Sequence, residues 1–299
     1  DLDTKKQVVF DTTRNKIEEK QMNKKSLKNR KSLSRRGLFL LFTLPAVILY
    51  LFFIVYPLLS GLYYSLTDWN GVAKEYHFIG LDNYLGVFTD KTAVAVIGRT
   101  FIYTILLVII CTSLSVFLAI LLNRKMKARA LFRSIYFFPA VLSSITIGLI
   151  FNQIYSNLLP DVGKSLGIAF LSKSLLGNSS TAMWAILFIN IWQGTALPTV
   201  LALSGLQTIP EDIIESARID GAGSWQTLRK IILPLLLPTI SIIIILNARS
   251  GLMVFDYIKA TTDGGPGFST MSIAYMIYKH AFTDMKFSYS SAESTLCFI

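Results

Sequence analysis

The chain has 299 residues, 53% of them hydrophobic and only 16% charged, with a net charge of +11. About a quarter of an ordinary soluble domain is charged, so the composition excludes a typical soluble protein and selects a membrane class. Two cysteines and two histidines, far apart in sequence, exclude a disulfide scaffold and a metal site, and no cofactor is expected.

The segment 1–36 is basic, with Lys5, Lys6, Arg14, Lys16, Lys20, Lys24, Lys25, Lys28, Arg30, Lys31, Arg35 and Arg36. Its weak apolar periodicity predicts a surface helix or disorder, touching anionic headgroups. It is not read as a cleaved signal peptide, because the apolar run after Arg36 is too long and no small-residue cleavage pattern follows. The domain reading is a tail over 1–36 and a membrane domain over 37–299. A bilayer core of about 30 Å needs roughly 20 apolar residues per helix. The predicted spans are Leu38–Leu59, Phe101–Leu122, Ile135–Tyr155, Ala182–Leu206 and Leu235–Phe255, with a sixth beginning near Tyr289 and truncated at Ile299.

Lys and Arg in the connections set the orientation. The loop after the second span carries Arg124, Lys125, Lys127, Arg129 and Arg133 without an acid, whereas the 60–98 connection has Lys74 and Lys91 against Asp68, Glu75, Asp82 and Asp90. The N-terminus is therefore expected in the cytoplasm. This bias also accounts for the net charge without a nucleic-acid partner.

Inside the spans, the notable polar residues are Asn152 and Gln153, Asn190 and Gln193, and Asn247, Arg249 and Ser250. A polar solute crossing hydrocarbon needs hydrogen-bonding groups near the midplane. The stretch Asn190-Ile191-Trp192-Gln193-Gly194 offers an amide and an indole, suited to sugar hydroxyls and a flat sugar ring. The alternative is that such amides only bond neighbouring helices and Trp192 only packs. Arg249 is costly in a helix centre, so it either lines a cavity and meets an acidic sugar, or bonds helix-end carbonyls or a partner's acid. Cys111 and Cys297 are read as packing residues. His77 and His280 are placed in external loops.

Between Thr208 and Pro234 the apolar pattern breaks into a polar hairpin. Thr208 and Glu211 have capping-box spacing, with Pro210 in the first turn. Ile209, Ile213, Ile214 and Ala217 recur at helical spacing, and Gly221 supplies a left-handed stop. Ser224 starts a second short helix that Pro234 is expected to end. Counting spans from a cytoplasmic N-terminus puts this hairpin in the cytoplasm. Asp263-Gly264-Gly265-Pro266-Gly267 reads as a rigid external turn, since no Lys follows it as a phosphate loop requires.

The hairpin, about 207–234, resembles the EAA loop of bacterial ABC importer permeases: Glu-Ala-Ala, three residues, Gly, nine residues, Ile, any residue, Leu-Pro. The matching residues are Glu215, Ser216, Ala217, Asp220, Gly221, Ala222, Ile231, Leu233 and Pro234, with Ser216 replacing the usual second residue and Leu228 standing where an aromatic is common. The Gly264–Pro266 turn and the Asn-x-Trp-x-Gly stretch are similar to those of maltose-type sugar permeases, so the resemblance runs from about Trp184 to Ala292. Arg249 departs from that pattern, which favours neutral amides there. The resemblance implies an all-α permease subunit with six transmembrane helices and a cytoplasmic coupling hairpin. It implies substrate-path roles for Asn190, Trp192, Gln193, Gly194, Asn247 and Arg249, and ATPase coupling through the hairpin, with Glu215 contacting the ATPase or clamping its own turn.

The implied partners are a second homologous permease, two cytoplasmic ATPase subunits, an extracellular or periplasmic solute-binding protein, a sugar or oligosaccharide and the lipid bilayer of the plasma membrane. The chain itself is read as no enzyme, with no catalytic residues. The competing class, an ion-coupled secondary transporter, would need an intramembrane acid. Asp256 lies at a span edge, and no central Asp or Glu stands out.

Overall fold

Backbone groups in hydrocarbon find no water, so an apolar chain satisfies them internally as helix. The computed structural model describes residues 35–123 and 129–298. Most of the basic tail, Arg124, Lys125, Lys127 and Ile299 lie outside them. Among the described residues the only β pairing is an isolated antiparallel bridge between Thr67 and Phe78.

The chain forms two units, residues 1–60 and 61–299. The described part of the first is apolar helix with its large side chains exposed. That helix is α1 (Phe39–Tyr64), ending a few residues into the second unit. The second unit continues with α2 (Asp82–Thr89), α3 (Lys91–Asn123), α4 (Arg129–Val141), α5 (Ser144–Ser165), α6 (Ala182–Gly194) and α7 (Ala196–Gln207). It ends with α8 (Glu211–Ile219), α9 (Ser224–Leu252), α10 (Asp256–Thr261), α11 (Ile273–Phe282) and α12 (Phe287–Phe298).

Among the described residues three helices, α1, α3 and α9, are long and apolar enough to cross a membrane. The predicted span Ile135–Tyr155 is not one straight rod. It breaks between α4 and α5, which turn through 101°. Pro139 and the polar pair Ser143-Ser144 lie at that break, where a proline ring and competing hydroxyls weaken the ladder. The predicted span Ala182–Leu206 bends by 40° between α6 and α7. Here Ser115 Oγ of α3 donates to the Thr195 carbonyl at 3.3 Å.

Pro234 does not end the second hairpin helix as expected, because α9 runs through it. The reason recurs along the chain. Five-residue π turns occupy Leu51–Val55, Ile154–Leu158 and Leu228–Ile232, and each ends two residues before a proline: Pro57, Pro160 or Pro234. A helical proline lacks its N–H and crowds the carbonyl four residues back. In each case that carbonyl lies within the widened turn, which absorbs the clash without stopping the helix.

The core of the second unit centres on α3, packed against α7 and α9. Ala119, Ala202, Leu203, Leu206, Leu236 and Ile243 form its lower cluster, while Leu107, Cys111, Ile147, Ile186 and Ile189 belong to the larger one. Gly251 makes the α9–α3 contact possible: a Cβ there would come within 2.8 Å of Thr104 Cα. Cys111 packs as expected, but Cys297 is exposed in this chain.

The 60–98 connection is fastened to α12. Ser288 N–H donates to the Trp69 carbonyl at 3.0 Å, and the hydroxyls of Thr67 and Ser288 lie 2.9 Å apart. Tyr64, Trp69, Tyr76 and Phe287 stack around this join. His280 lies on α11 rather than in a loop, and its Nδ1 is 2.9 Å from Glu293 on α12.

Candidate functional site

Two features of the second unit carry chemistry: a cavity between the helices and the hairpin joining α7 to α9. In the cavity, Asn190 of α6 is 2% exposed, and its amide Nδ2 donates to the Tyr103 hydroxyl of α3 at 2.9 Å. One turn on, Gln193 bridges three elements. Its Nε2 donates to the Leu142 carbonyl at 2.9 Å, and its Oε1 accepts from the Tyr257 hydroxyl at 2.6 Å. Leu142 stands at the 101° elbow, so Gln193 satisfies a carbonyl that the broken helix leaves free. Asn247 of α9 reaches α3 through Thr112 Oγ1 at 3.2 Å. Asn152 donates to the Thr261 carbonyl at 2.6 Å.

These amides do bond neighbouring helices, yet Asn190, Gln193, Gly194 and Asn247 also line a cavity of 290 Å³, with Leu107, Cys111, Ser250 and Tyr257. Asn190 and Asn247 each spend an N–H on a helix partner. Among the described residues their side-chain carbonyl oxygens stay unbonded and available as acceptors.

Trp192 does not share this wall. Residues two apart on a helix stand about 200° apart around it, and Trp192 packs instead on Phe151, ring centroids 5.5 Å apart, with 40% of its surface exposed. The amide and indole therefore face different neighbours, which corrects the expectation of one combined cradle. Arg249 is likewise exposed and lines an adjoining cavity of 320 Å³ with Ser144, Ser250 and Asp256. No carboxylate of the described residues lies within ion-pair distance of it.

The hairpin differs in detail from its sequence reading. Thr208 and Glu211 form no capping box: Thr208 Oγ1 donates backward to the Gly205 carbonyl at 2.8 Å, and Pro210 occupies the N-cap in an extended conformation. A side-chain cap lies one helix later, where Gln226 Oε1 accepts from Gly223 N–H at 3.2 Å. Gly221 does supply the left-handed residue, with φ +81°. Its N–H donates to the Arg218 carbonyl at 3.0 Å and Ala222 N–H to the Ala217 carbonyl at 2.9 Å. This pair of bonds is the Schellman closure, and it fixes the reversal after α8.

Ala217 is buried against the turn. Glu215, Ser216, Asp220 and Pro234 are exposed, and Ala222 and Leu233 are half-buried. Glu215 forms no hydrogen bond or ion pair among the described residues, so it does not clamp its own turn. Ile213, Ile219 and Trp225 are the exposed large apolar side chains of this polar element, and Ile219, 86% exposed, and Trp225, 69% exposed, project furthest.

On the far side of the unit, the Gly264–Gly267 turn is tied down by hydrogen bonds. Lys259 Nζ lies 2.7 Å from Asp263 Oδ1, and the Tyr275 hydroxyl donates to the same carboxylate at 2.8 Å. Both hold the Asp263 carboxyl below its ordinary pKa, the Lys259 bond most strongly. Three further features escaped sequence reasoning: Tyr103, the elbow at Leu142 and the buried Glu293. Glu293, 3% exposed, is an acid near the start of the predicted sixth span, where none was noted.

Comparison with known proteins agrees with this fold. The profile of the family described as binding-protein-dependent transport system inner membrane component matches residues 111–287. The chain is 42% identical over 258 residues to the multiple sugar-binding transport system permease protein MsmF of Streptococcus mutans, covering 86% of this chain and 89% of that one. It is 32% identical over 263 residues to the trehalose/maltose transport system permease protein MalF of Thermococcus litoralis, covering 87% and 88%. Its fold matches a chain of a bacterial ABC transporter involved in import of the acidic polysaccharide alginate, with TM-score 0.76 and 20% identity over 89% of this chain and 91% of that one. The chain belongs to the family of inner membrane components of binding-protein-dependent transport systems.

Proposed function

We propose that this chain is the membrane-spanning subunit of an ATP-driven ABC importer that moves a sugar or oligosaccharide. The substrate class rests on the sugar permeases among its relatives and on a cavity lined by amide groups. In this reading the tail over 1–36 is cytoplasmic and residues 37–299 form the permease domain. There are six spans: α1, α3, the bent α4–α5 and α6–α7 pairs, α9 and α12. The partners are a second homologous permease, two ATPase subunits and an external solute-binding protein that delivers the cargo.

One observation carries the mechanism. The hairpin is closed by its own Schellman bonds, projects Ile219 and Trp225 outward, and continues into α7 on one side and α9 on the other. Exposed apolar side chains on a rigid polar element mark an interaction surface. Closure of an ATPase dimer around the hairpin pushes α7 and α9, and both helices pack on α3. The push therefore reaches the walls of the 290 Å³ cavity. Glu215 is free to meet the ATPase through a charge-assisted contact.

Within the membrane, Asn190 and Asn247 offer acceptor oxygens to sugar hydroxyls, and Gln193 and Gly194 shape the wall. The exposed rings of Trp192 and Phe188 face outward from this chain and supply a stacking surface in the assembled permease pair. Arg249 lines the adjoining cavity, where it meets either an acidic glycan or an acid of the partner permease.

The test is transport and co-purification with Glu215→Lys. Normal insertion, loss of sugar uptake and loss of the associated ATPase subunit are expected. Wild-type uptake, or solute-driven proton flux by the chain alone, would contradict the reading.

A further inference from the structure

A third cavity, of 530 Å³, lies on the α3–α6 seam beyond Tyr103, at the end of the spans opposite the hairpin. It is separate from the cavity described above: Tyr103 lines this one, Asn190 lines the other, and the hydrogen bond between them forms the partition. Its wall is mainly apolar, from Ile102, Leu106, Met183 and Leu187. Its rim is polar, with Arg99, Trp184, Ser179, Ser180 and Ser269.

Three observations describe what this cavity would hold. No Asp or Glu lines it, and Arg99 has no carboxylate partner among the described residues, so its charge is uncompensated. Arg99 spends one N–H on the Phe268 carbonyl, which orients the guanidinium at the rim and leaves further donors free. The buried Ser269 hydroxyl has no hydrogen-bond partner. A buried polar group without a partner is rare and costly. The turn at Gly264–Gly267 delivers both the Phe268 carbonyl and Ser269 to this place.

The depth profile distinguishes the ligand class. Arg99 precedes the apolar run that starts at Phe101, and Trp184 stands beside it, the positions of interfacial anchors at headgroup level. From Arg99 to Leu106 the helix descends about 10 Å, and the lining turns aliphatic over that distance. An anion at the top with an apolar body beneath it is the profile of a phospholipid. A glycan site would need polar groups along its whole depth. Arg is also the side chain suited to a phosphate, through its forked donors. The volume falls within the usual 300–1,000 Å³ of small-molecule sites, enough for a headgroup and its first methylenes.

We propose that this cavity binds the headgroup of an anionic phospholipid, with its phosphate on Arg99 and Ser269 and its chain along Ile102, Leu106 and Leu187. The lipid sits directly beyond the Tyr103–Asn190 partition and braces the α3–α6 seam. This inference rests on the membrane reading of the chain and not on the identity of the transported solute.

Native mass spectrometry of the assembled transporter tests it, using palmitoyl-oleoyl phosphatidylglycerol, the matching phosphatidylcholine and maltotriose as probes. The wild type should retain phosphatidylglycerol over phosphatidylcholine by at least about fivefold. Arg99→Gln should abolish that preference, and Arg99→Lys should keep part of it. Ile102→Glu, at an exposed position, should abolish it by charge repulsion alone, which guards against misfolding of the arginine variant. Equal retention of the two lipids by the wild type, an unchanged preference in both Arg99→Gln and Ile102→Glu, or displacement of the lipid by maltotriose would overturn the proposal. Loss of sugar uptake with lipid retention intact would instead fault the transport reading.

Discussion

The Asn190 amide donates to the Tyr103 hydroxyl at 2.9 Å, with both side chains buried, and this bond ties α6 to α3 between two cavities. Hydrogen bonds between membrane helices contribute about 0.6–2 kcal/mol. Tyr103→Phe should therefore cost about that much in thermal stability while leaving uptake measurable. Asn190→Leu also removes the acceptor facing the inner cavity and should reduce uptake at least about tenfold with normal membrane insertion. Equal effects of the two variants on uptake would show that the bond matters and the acceptor does not.

Gly221 is placed to separate strain from contact. A Cβ built on it meets nothing within 4 Å, so only its φ of +81° resists substitution. A β-branched residue in the left-handed region costs about 1–2 kcal/mol or more, whereas Asn visits it readily. Gly221→Val should insert normally but lose substrate-stimulated ATP hydrolysis in the reconstituted transporter. Gly221→Asn should keep most of it.

Gln193 holds the elbow. Gln193→Leu leaves the Leu142 carbonyl and the Tyr257 hydroxyl without their partner, and each orphaned buried group costs about 1–3 kcal/mol. A large drop in melting temperature is expected, well beyond that of Tyr103→Phe. Uptake with wild-type stability would contradict the bracing role.

Asp263 gives a pH dependence with a definite sign. Its carboxyl is held below the unfolded value of about 3.9 by Lys259 and then Tyr275. Its contribution is therefore complete above that value and is lost as pH falls through the lower, folded one. The carboxylate is largely exposed, so the effect is small. Melting curves between about pH 5 and pH 2 should show an acid limb that Asp263→Asn flattens, with the variant less stable at neutral pH.

Arg249 tests substrate charge. Arg249→Gln should depress uptake of an acidic oligosaccharide by about tenfold or more and spare a neutral one. Equal loss of both would remove the acidic-sugar role and leave a contact with the partner permease.

Much of this was legible in the sequence, because hydropathy and capping are local. The apolar runs marked α1, α3 and α9, and the Asp220-Gly221 pair marked a left-handed turn that the Schellman bonds bear out. Non-local geometry was not legible. The elbow at Leu142 needed knowledge of where Gln193 would reach, and the Asn190–Tyr103 bond joins residues 87 apart. Residues two apart on a helix do not face the same neighbour, which separates the Trp192 ring from the Asn190 amide. Pro234 reads as a stop in the sequence because a π turn, which lets a helix carry proline, has no sequence signature as plain as a cap. The contact of His280 with Glu293 joins two helices across 13 residues of sequence, which no local pattern marks.

The central claim is that the hairpin over 209–232 seats in a separate ATPase and drives the helices above it. Ile219 is the most exposed large apolar side chain there. A photo-crosslinking amino acid at position 219, irradiated in the assembled transporter, tests this most directly. The account predicts capture of the ATPase subunit, changing in yield when ATP is added. Capture of the external binding protein, labelling from the outer face by a membrane-impermeant reagent, or no ATPase adduct in an active complex would contradict it.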